Sequence, residues 1–134
     1  MKNVVVVEDS AIMREISVRI LKDLGIETRE ATTAPAAVEM CRETKPDAVL
    51  LDWDLPQLGA LDFLRGVGEL DQAQRPVIIL IATENDHQQF TLARAAGAAH
   101  HLLKPFDAAT LEDKLAEIGV IAASEQTGAT RAVS

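Results

Sequence analysis

At 134 residues, with 48% hydrophobic and 25% charged side chains, the sequence has the dimensions of one ordinary globular domain. A net charge of −8 argues against a nucleic-acid or anionic-membrane surface, and no apolar run approaches the ~18 residues needed to span a bilayer. The single cysteine, Cys41, cannot form an internal disulfide, which fits a reducing cytoplasm and the role of a small buried hydrophobe.

The chain opens with Met1-Lys2-Asn3 and passes into Val4–Val7, a first strand rather than a signal peptide because no small-residue cleavage site follows. Ser10 to Leu24 carries Ile12, Ile16, Ile20 and Leu24 at a spacing of four, a helix that Gly25 stops. Glu27–Glu30 is a weak, polar strand of the kind found at a sheet edge. Thr33 or Ala34 opens a second helix with Pro35 in its first turn, ending near Thr44. Ala48–Leu51 and Val77–Ile81 are near-continuous aliphatic runs, the mark of strands covered on both faces. Between them, a third helix over about 60–66 is expected to be short or frayed, because it contains Gly66 and is followed by Gly68. Asp86 caps a fourth helix that runs to Ala96 and stops at Gly97; Ala99–Leu103 is a fifth strand, and Asp107 caps a fifth helix from Ala108 to about Ile118. Strands alternating with helices predict an α/β fold with a parallel sheet, right-handed crossovers and helices on both faces. Residues 1–122 form the domain, and 123–134, small, polar and aperiodic, read as a flexible C-terminal tail.

Three strand ends carry charge. Val4–Val7 runs into Glu8-Asp9, Ala48–Leu51 into Asp52, and the fifth strand into Lys104-Pro105. Open parallel sheets bind ligands at the carboxyl ends of their strands, so these side chains converge on one site. Clustered carboxylates repel unless a cation neutralises them. An all-oxygen set with no competing His/Cys group suits Mg²⁺, and a neighbouring lysine suits a phosphoryl group. An aspartate between metal and lysine is a nucleophile toward phosphorus. Any one acidic residue at such a position is more simply a helix cap; all of them together, with Lys-Pro after the last strand, are not.

With those residues in view, the sequence resembles the receiver domain of two-component response regulators, in particular the stand-alone, chemotaxis-regulator type. The resemblance covers residues 3 to about 118 and rests on Val-Val-Glu8-Asp9-Ser10, Leu-Leu-Asp52-Trp53-Asp54-Leu55-Pro56, Gly97-Ala98 and Leu103-Lys104-Pro105-Phe106. It implies a flavodoxin-like, doubly wound, five-stranded parallel sheet of order 2-1-3-4-5 with five helices. It further implies that Asp52 accepts a phosphoryl group from a histidine kinase or phosphotransfer protein. Asp9, Asp52 and the backbone carbonyl of Asp54 would ligate Mg²⁺, with Glu8 acting through a bound water. Lys104 would contact the phosphoryl group, and the Lys104–Pro105 bond would be cis. Signalling would proceed by protein–protein contact, or by draining phosphoryl groups from a kinase, with weak autophosphatase activity at most. The output surface would be the fourth helix, fifth strand and fifth helix, on a monomer or weak homodimer.

The sequence also departs from the family. The Thr/Ser that ends the fourth strand in receivers falls on Ala82 when counted back from Lys104, with Thr83 next, but on Ile81 when counted from Pro76. A one-residue irregularity in or after this strand is therefore expected: either Thr83 is drawn into the site or, as strand register favours, Ala82 leaves the hydroxyl missing there. The aromatic switch position falls on His101, read either as a partly exposed strand residue or as a titratable switch. After the acceptor, Gly59-Ala60 stands where the family favours Asp-Gly. His87 and His100 read as surface residues with no identified partner. A small phosphatase built on Asp52-x-Asp54 is disfavoured, because Pro56 replaces the threonine such enzymes require and no cap segment is present. The alternative kept beside the phosphoacceptor is a degenerate receiver that binds its partner without phosphorylation.

Overall fold

The structure, a computed structural model, describes residues 2–83 and 86–121; the expected tail at 123–134 lies outside the described residues. Five strands, β1 (Asn3–Val7), β2 (Glu27–Ala31), β3 (Ala48–Asp52), β4 (Val77–Ala82) and β5 (His100–Leu103), form one parallel sheet in the order β2-β1-β3-β4-β5. The helices are α1 (Ala11–Asp23), α2 (Ala34–Thr44), α3 (Gly59–Gly68), α4 (His87–Ala95) and α5 (Ala108–Glu117). The expected architecture and strand order are thus found.

Strand alternation divides the core into two layers. Val5, Val7, Val49, Leu51, Ile78, Leu80 and Ala82 pack against α2, α3 and α4 residues such as Ala37, Phe63 and Phe90. Val4, Val6, Leu50, Ile79 and Ile81 pack on the opposite face against Leu21 of α1 and Leu111 and Leu115 of α5. The three central strands are covered on both sides, which is why they read as unbroken aliphatic runs. β2 pairs on one side only, and of its five residues only Ala31 is buried, so a polar sequence suffices there.

Four of the helices, α1, α2, α4 and α5, begin where a side chain can replace a missing intrahelical acceptor. Ser10, Thr33, Asp86 and Asp107 accept from the backbone N–H groups of Met13, Ala36, Gln88 and Gln89, and Thr110 respectively. The left-handed residues Gly25 (φ +78°) and Gly97 (φ +116°) follow α1 and α4.

α3 differs from the expectation of a short, frayed segment. It runs ten residues, through Gly66 to Gly68, because Phe63, Leu64 and Val67 bury one face. Gly66 turns toward α2, where a Cβ would lie 2.7 Å from Val38 Cγ2. The glycine permits close helix approach instead of breaking the helix.

Candidate functional site

β1, β3 and β5 end at the same edge of the sheet and bring Glu8, Asp9, Asp52 and Lys104 together. Glu8 and Asp52 are 5% and 2% exposed, and Asp9 is open to solvent. The Lys104 ammonium lies 3.2 Å from Glu8 Oε1 and 3.1 Å from Asp52 Oδ1. Asp52 Oδ1 also accepts the Asp54 amide at 3.0 Å. Lys104 is aimed by its backbone: its N–H donates to the Ala82 carbonyl at 2.7 Å, and the Lys104–Pro105 peptide is cis, as expected.

Glu8 is held from several directions. Its N–H donates to Ala31 O at 3.1 Å, and its Oε2 accepts from Ser10 N at 3.2 Å. Its carbonyl accepts from Arg14 Nη1 at 2.8 Å. The Arg14 Nε in turn lies 3.1 Å from Glu30 Oε1 on the edge strand. Nothing local in the sequence marks Arg14, six residues beyond Glu8 and off the apolar stripe of α1.

Burial, reinforced by the hydrogen bond and charge of Asp52, pushes the Glu8 carboxyl up to about 7. Burial also acts upward on Asp52, but Glu8, the Asp54 amide and Lys104 outweigh it and hold Asp52 below the usual carboxylate range. For Lys104, burial favours the neutral form, yet Asp52 and Glu8 more than compensate and raise its affinity for its proton. The Lys104 ammonium contacts two of the three clustered carboxylates, Glu8 and Asp52, which leaves the cluster short of positive charge. One carboxylate oxygen from each of Glu8, Asp9 and Asp52 lies within 4.8 Å of the other two. That compact, all-oxygen donor set fits a small hard cation such as Mg²⁺.

The ladder resolves the two conflicting counts on β4. Asp52 pairs with Ile81 and Ala82 with Leu103, and no residue is skipped from Val77 to Ala82. Of the irregularity expected in or after the strand, none lies within it, β4 being one residue longer than β3, and residues 84 and 85 lie outside the described residues. Ala82 ends it, buried, while Thr83 is exposed and its Oγ1 donates to Asp54 Oδ2 at 3.2 Å. Trp53, Asp54, Ala82, Thr83 and Gln89 line a recess of about 160 Å³ beside the acidic cluster.

His101 lies on β5, half-buried, stacked on Phe90 of α4 with ring centroids 4.1 Å apart. Burial, followed by the charges of Lys114, Arg94 and His100, lowers its affinity for a proton. No sequence motif marks Phe90; the scarcity of aromatic residues, 3% of the chain, is the signal that points to it. His100, read as unpartnered, has Nδ1 3.5 Å from Glu117 Oε2. His87 is exposed, and its carbonyl accepts from Thr91 Oγ1.

Residues 4–116 match the family model for the response regulator receiver domain. The chain belongs to that family. This receiver domain is 32% identical over 116 residues to the chemotaxis protein CheY-3 of Vibrio cholerae, covering 86% of this chain and 89% of the relative. The chemotaxis response regulator CheY4 of Vibrio cholerae superposes with a TM-score of 0.81 at 26% identity, covering 88% of this chain and 98% of that one. The receiver domain of the sensor histidine kinase PA1611 of Pseudomonas aeruginosa, whose structure has magnesium in the active-site cleft, superposes with a TM-score of 0.79 at 25% identity. It covers 88% of this chain and 98% of that one. Receiver domains are signalling modules that bind Mg²⁺ in an acidic site and interact with histidine kinases or phosphotransfer proteins, and this one carries the acidic cluster Glu8, Asp9 and Asp52. Among its described residues, no helix is long and apolar enough to cross a membrane.

Proposed function

We propose that this chain is a phosphorylatable, stand-alone response regulator whose acceptor is Asp52. The observation that carries this is the ammonium of Lys104 within 3.2 Å of both buried carboxylates, Asp52 at the end of β3 and Glu8 just past β1. An Asp52 carboxylate oxygen attacks the phosphorus of a phosphohistidine. A P–O bond forms, the P–N bond breaks, and the imidazole leaves with the electron pair. Asp52, kept ionised, is competent as the nucleophile. Lys104 receives a phosphoryl oxygen in place of part of its present contact with Asp52. Asp9, Asp52 and the Asp54 carbonyl would hold Mg²⁺, with Glu8 acting through a water; bound Mg²⁺ supplies positive charge to the phosphoryl oxygens.

Ala82 occupies the place of the family's hydroxyl, and Thr83, tied to Asp54, does not replace it. Phosphorylation then biases the surface formed by α4, β5 and α5, where His101 lies, toward a protein partner in the cytoplasm, or the domain drains phosphoryl groups from its kinase. A monomer or a weak homodimer through that surface suits either output.

Incubation with Mg²⁺ and acetyl phosphate, followed by intact-mass measurement, tests the reading. One added phosphoryl group is expected in the wild type and none in Asp52→Asn, while Thr83→Ala reacts as the wild type does. Absence of modification in the wild type would favour the second reading, a receiver that binds without phosphorylation, for which the buried methyl of Ala82 beside the acceptor is the supporting observation.

A further inference from the structure

We infer that Arg14 is a positioning residue for the cation site, acting through the backbone of Glu8; this rests on the Mg²⁺ reading above. The Glu8 carbonyl belongs to the planar peptide unit that joins Glu8 to Asp9, so fixing that oxygen also fixes the Asp9 amide and the base of its side chain. Arg14 Nη1 fixes it at 2.8 Å. On the other side of Glu8, its N–H is fixed by Ala31 O of β2 at 3.1 Å. Arg14 is in turn held by Glu30, one residue before Ala31, through its Nε at 3.1 Å.

The two carboxylate-bearing residues of this loop are thus spanned by a bracket from α1 to β2. Planar, multidentate donors restrict direction as well as distance, so a lysine at this position could satisfy one contact but not both in the same orientation. Asp9 needs the bracket most, because its side chain is exposed.

The sign of the effect separates positioning from simple charge. Arg14 is a cation close to a cation site, so charge alone makes Arg14→Ala bind Mg²⁺ more tightly and Arg14→Lys bind like the wild type. Positioning makes both bind more weakly, since loss of a group that orients a ligand costs on the order of tenfold in metal affinity. Trp53, the only tryptophan, follows Asp52 directly and reports the titration through its fluorescence.

Mg²⁺ titrations of the wild type, Arg14→Ala, Arg14→Lys, Glu30→Gln and the Arg14→Ala/Glu30→Gln pair are the test, with circular dichroism to establish that each is folded. Expected are roughly tenfold weaker binding for Arg14→Ala, a smaller loss for Arg14→Lys and for Glu30→Gln, and no further loss in the pair. At saturating Mg²⁺ the rate of Asp52 phosphorylation by acetyl phosphate returns to that of the wild type in every variant. Unchanged or tighter binding by a folded Arg14→Ala, with a wild type that binds normally, overturns the inference and leaves the proposed function standing. A wild type that binds no Mg²⁺ removes the functional reading and this inference with it. Should Arg14→Ala fail to fold, Arg14→Lys binding at wild-type affinity overturns the inference by itself.

Discussion

His101 titrates against its surroundings. Its ring stacks on Phe90, and Lys114 of α5, Arg94 of α4 and the adjacent His100 all oppose a proton there. The folded protein therefore binds that proton less readily than the unfolded chain, whose histidine titrates near 6.5. Stability from the neutral ring is fully present above that value and is lost as pH falls through the lower folded value. Glu8 acts in the opposite sense, since its raised value favours folding at low pH, so the comparison must be with a variant. His101→Phe keeps the stacked ring and removes the titration. Urea midpoints measured at mildly alkaline and mildly acidic pH should therefore fall more in the wild type than in His101→Phe. Equal falls would show that His101 takes up its proton in the folded state without cost.

Among the elements, α3 shows how a residue's local preference yields to what it faces. Gly66 reads as a helix breaker, and in an exposed helix its replacement by alanine would stabilise by about 1 kcal/mol. Here the new methyl would meet Val38 Cγ2 at 2.7 Å. Valine is stiff about χ1, so relief requires moving one helix, a strain of about 1–3 kcal/mol. Gly66→Ala should lower the urea-derived stability by on the order of 1 kcal/mol, and Gly66→Ala/Val38→Ala should recover most of it, because the smaller partner releases the clash while the helix gain stays. The same distinction separates what could be read in advance from what could not. Strands such as Val4–Val7 and caps such as Asp86 and Asp107 were legible because local pattern determines them. Glu8, Asp9, Asp52 and Lys104 were legible because each follows a strand. The register that puts Ala82 rather than Thr83 at the end of β4 depends on that strand's length relative to its neighbours. The pairs Arg14–Glu30 and Phe90–His101 join residues on different elements, which no local spacing encodes.

At the scale of the whole molecule, the acidic site places a cost on the fold that a ligand can remove. Three carboxylates cluster there, and the two buried ones, Glu8 and Asp52, contact the Lys104 ammonium. Without a divalent cation their repulsion destabilises the native state relative to the unfolded chain, where they separate. The cost falls on Glu8, whose carboxyl is pushed up to about 7, so Glu8→Gln at mildly alkaline pH removes the costly charge at nearly constant volume and leaves Lys104 paired with Asp52. In chelator, the variant should therefore match or exceed the wild type, by roughly 1 kcal/mol, as expected where function and stability compete. Mg²⁺ should reverse the order. A ligand at about a hundred times its dissociation constant stabilises the state that binds it by ~2.7 kcal/mol, and the variant has lost one of the negative charges that would attract the cation. Thermal unfolding in chelator and in millimolar Mg²⁺ should show the two melting curves exchanging places. A wild type that exceeds Glu8→Gln in chelator by several degrees would mean that the Glu8–Lys104 pair stabilises the metal-free fold more than carboxylate repulsion weakens it, so that the cluster is a structural ion-pair network before it is a cation site.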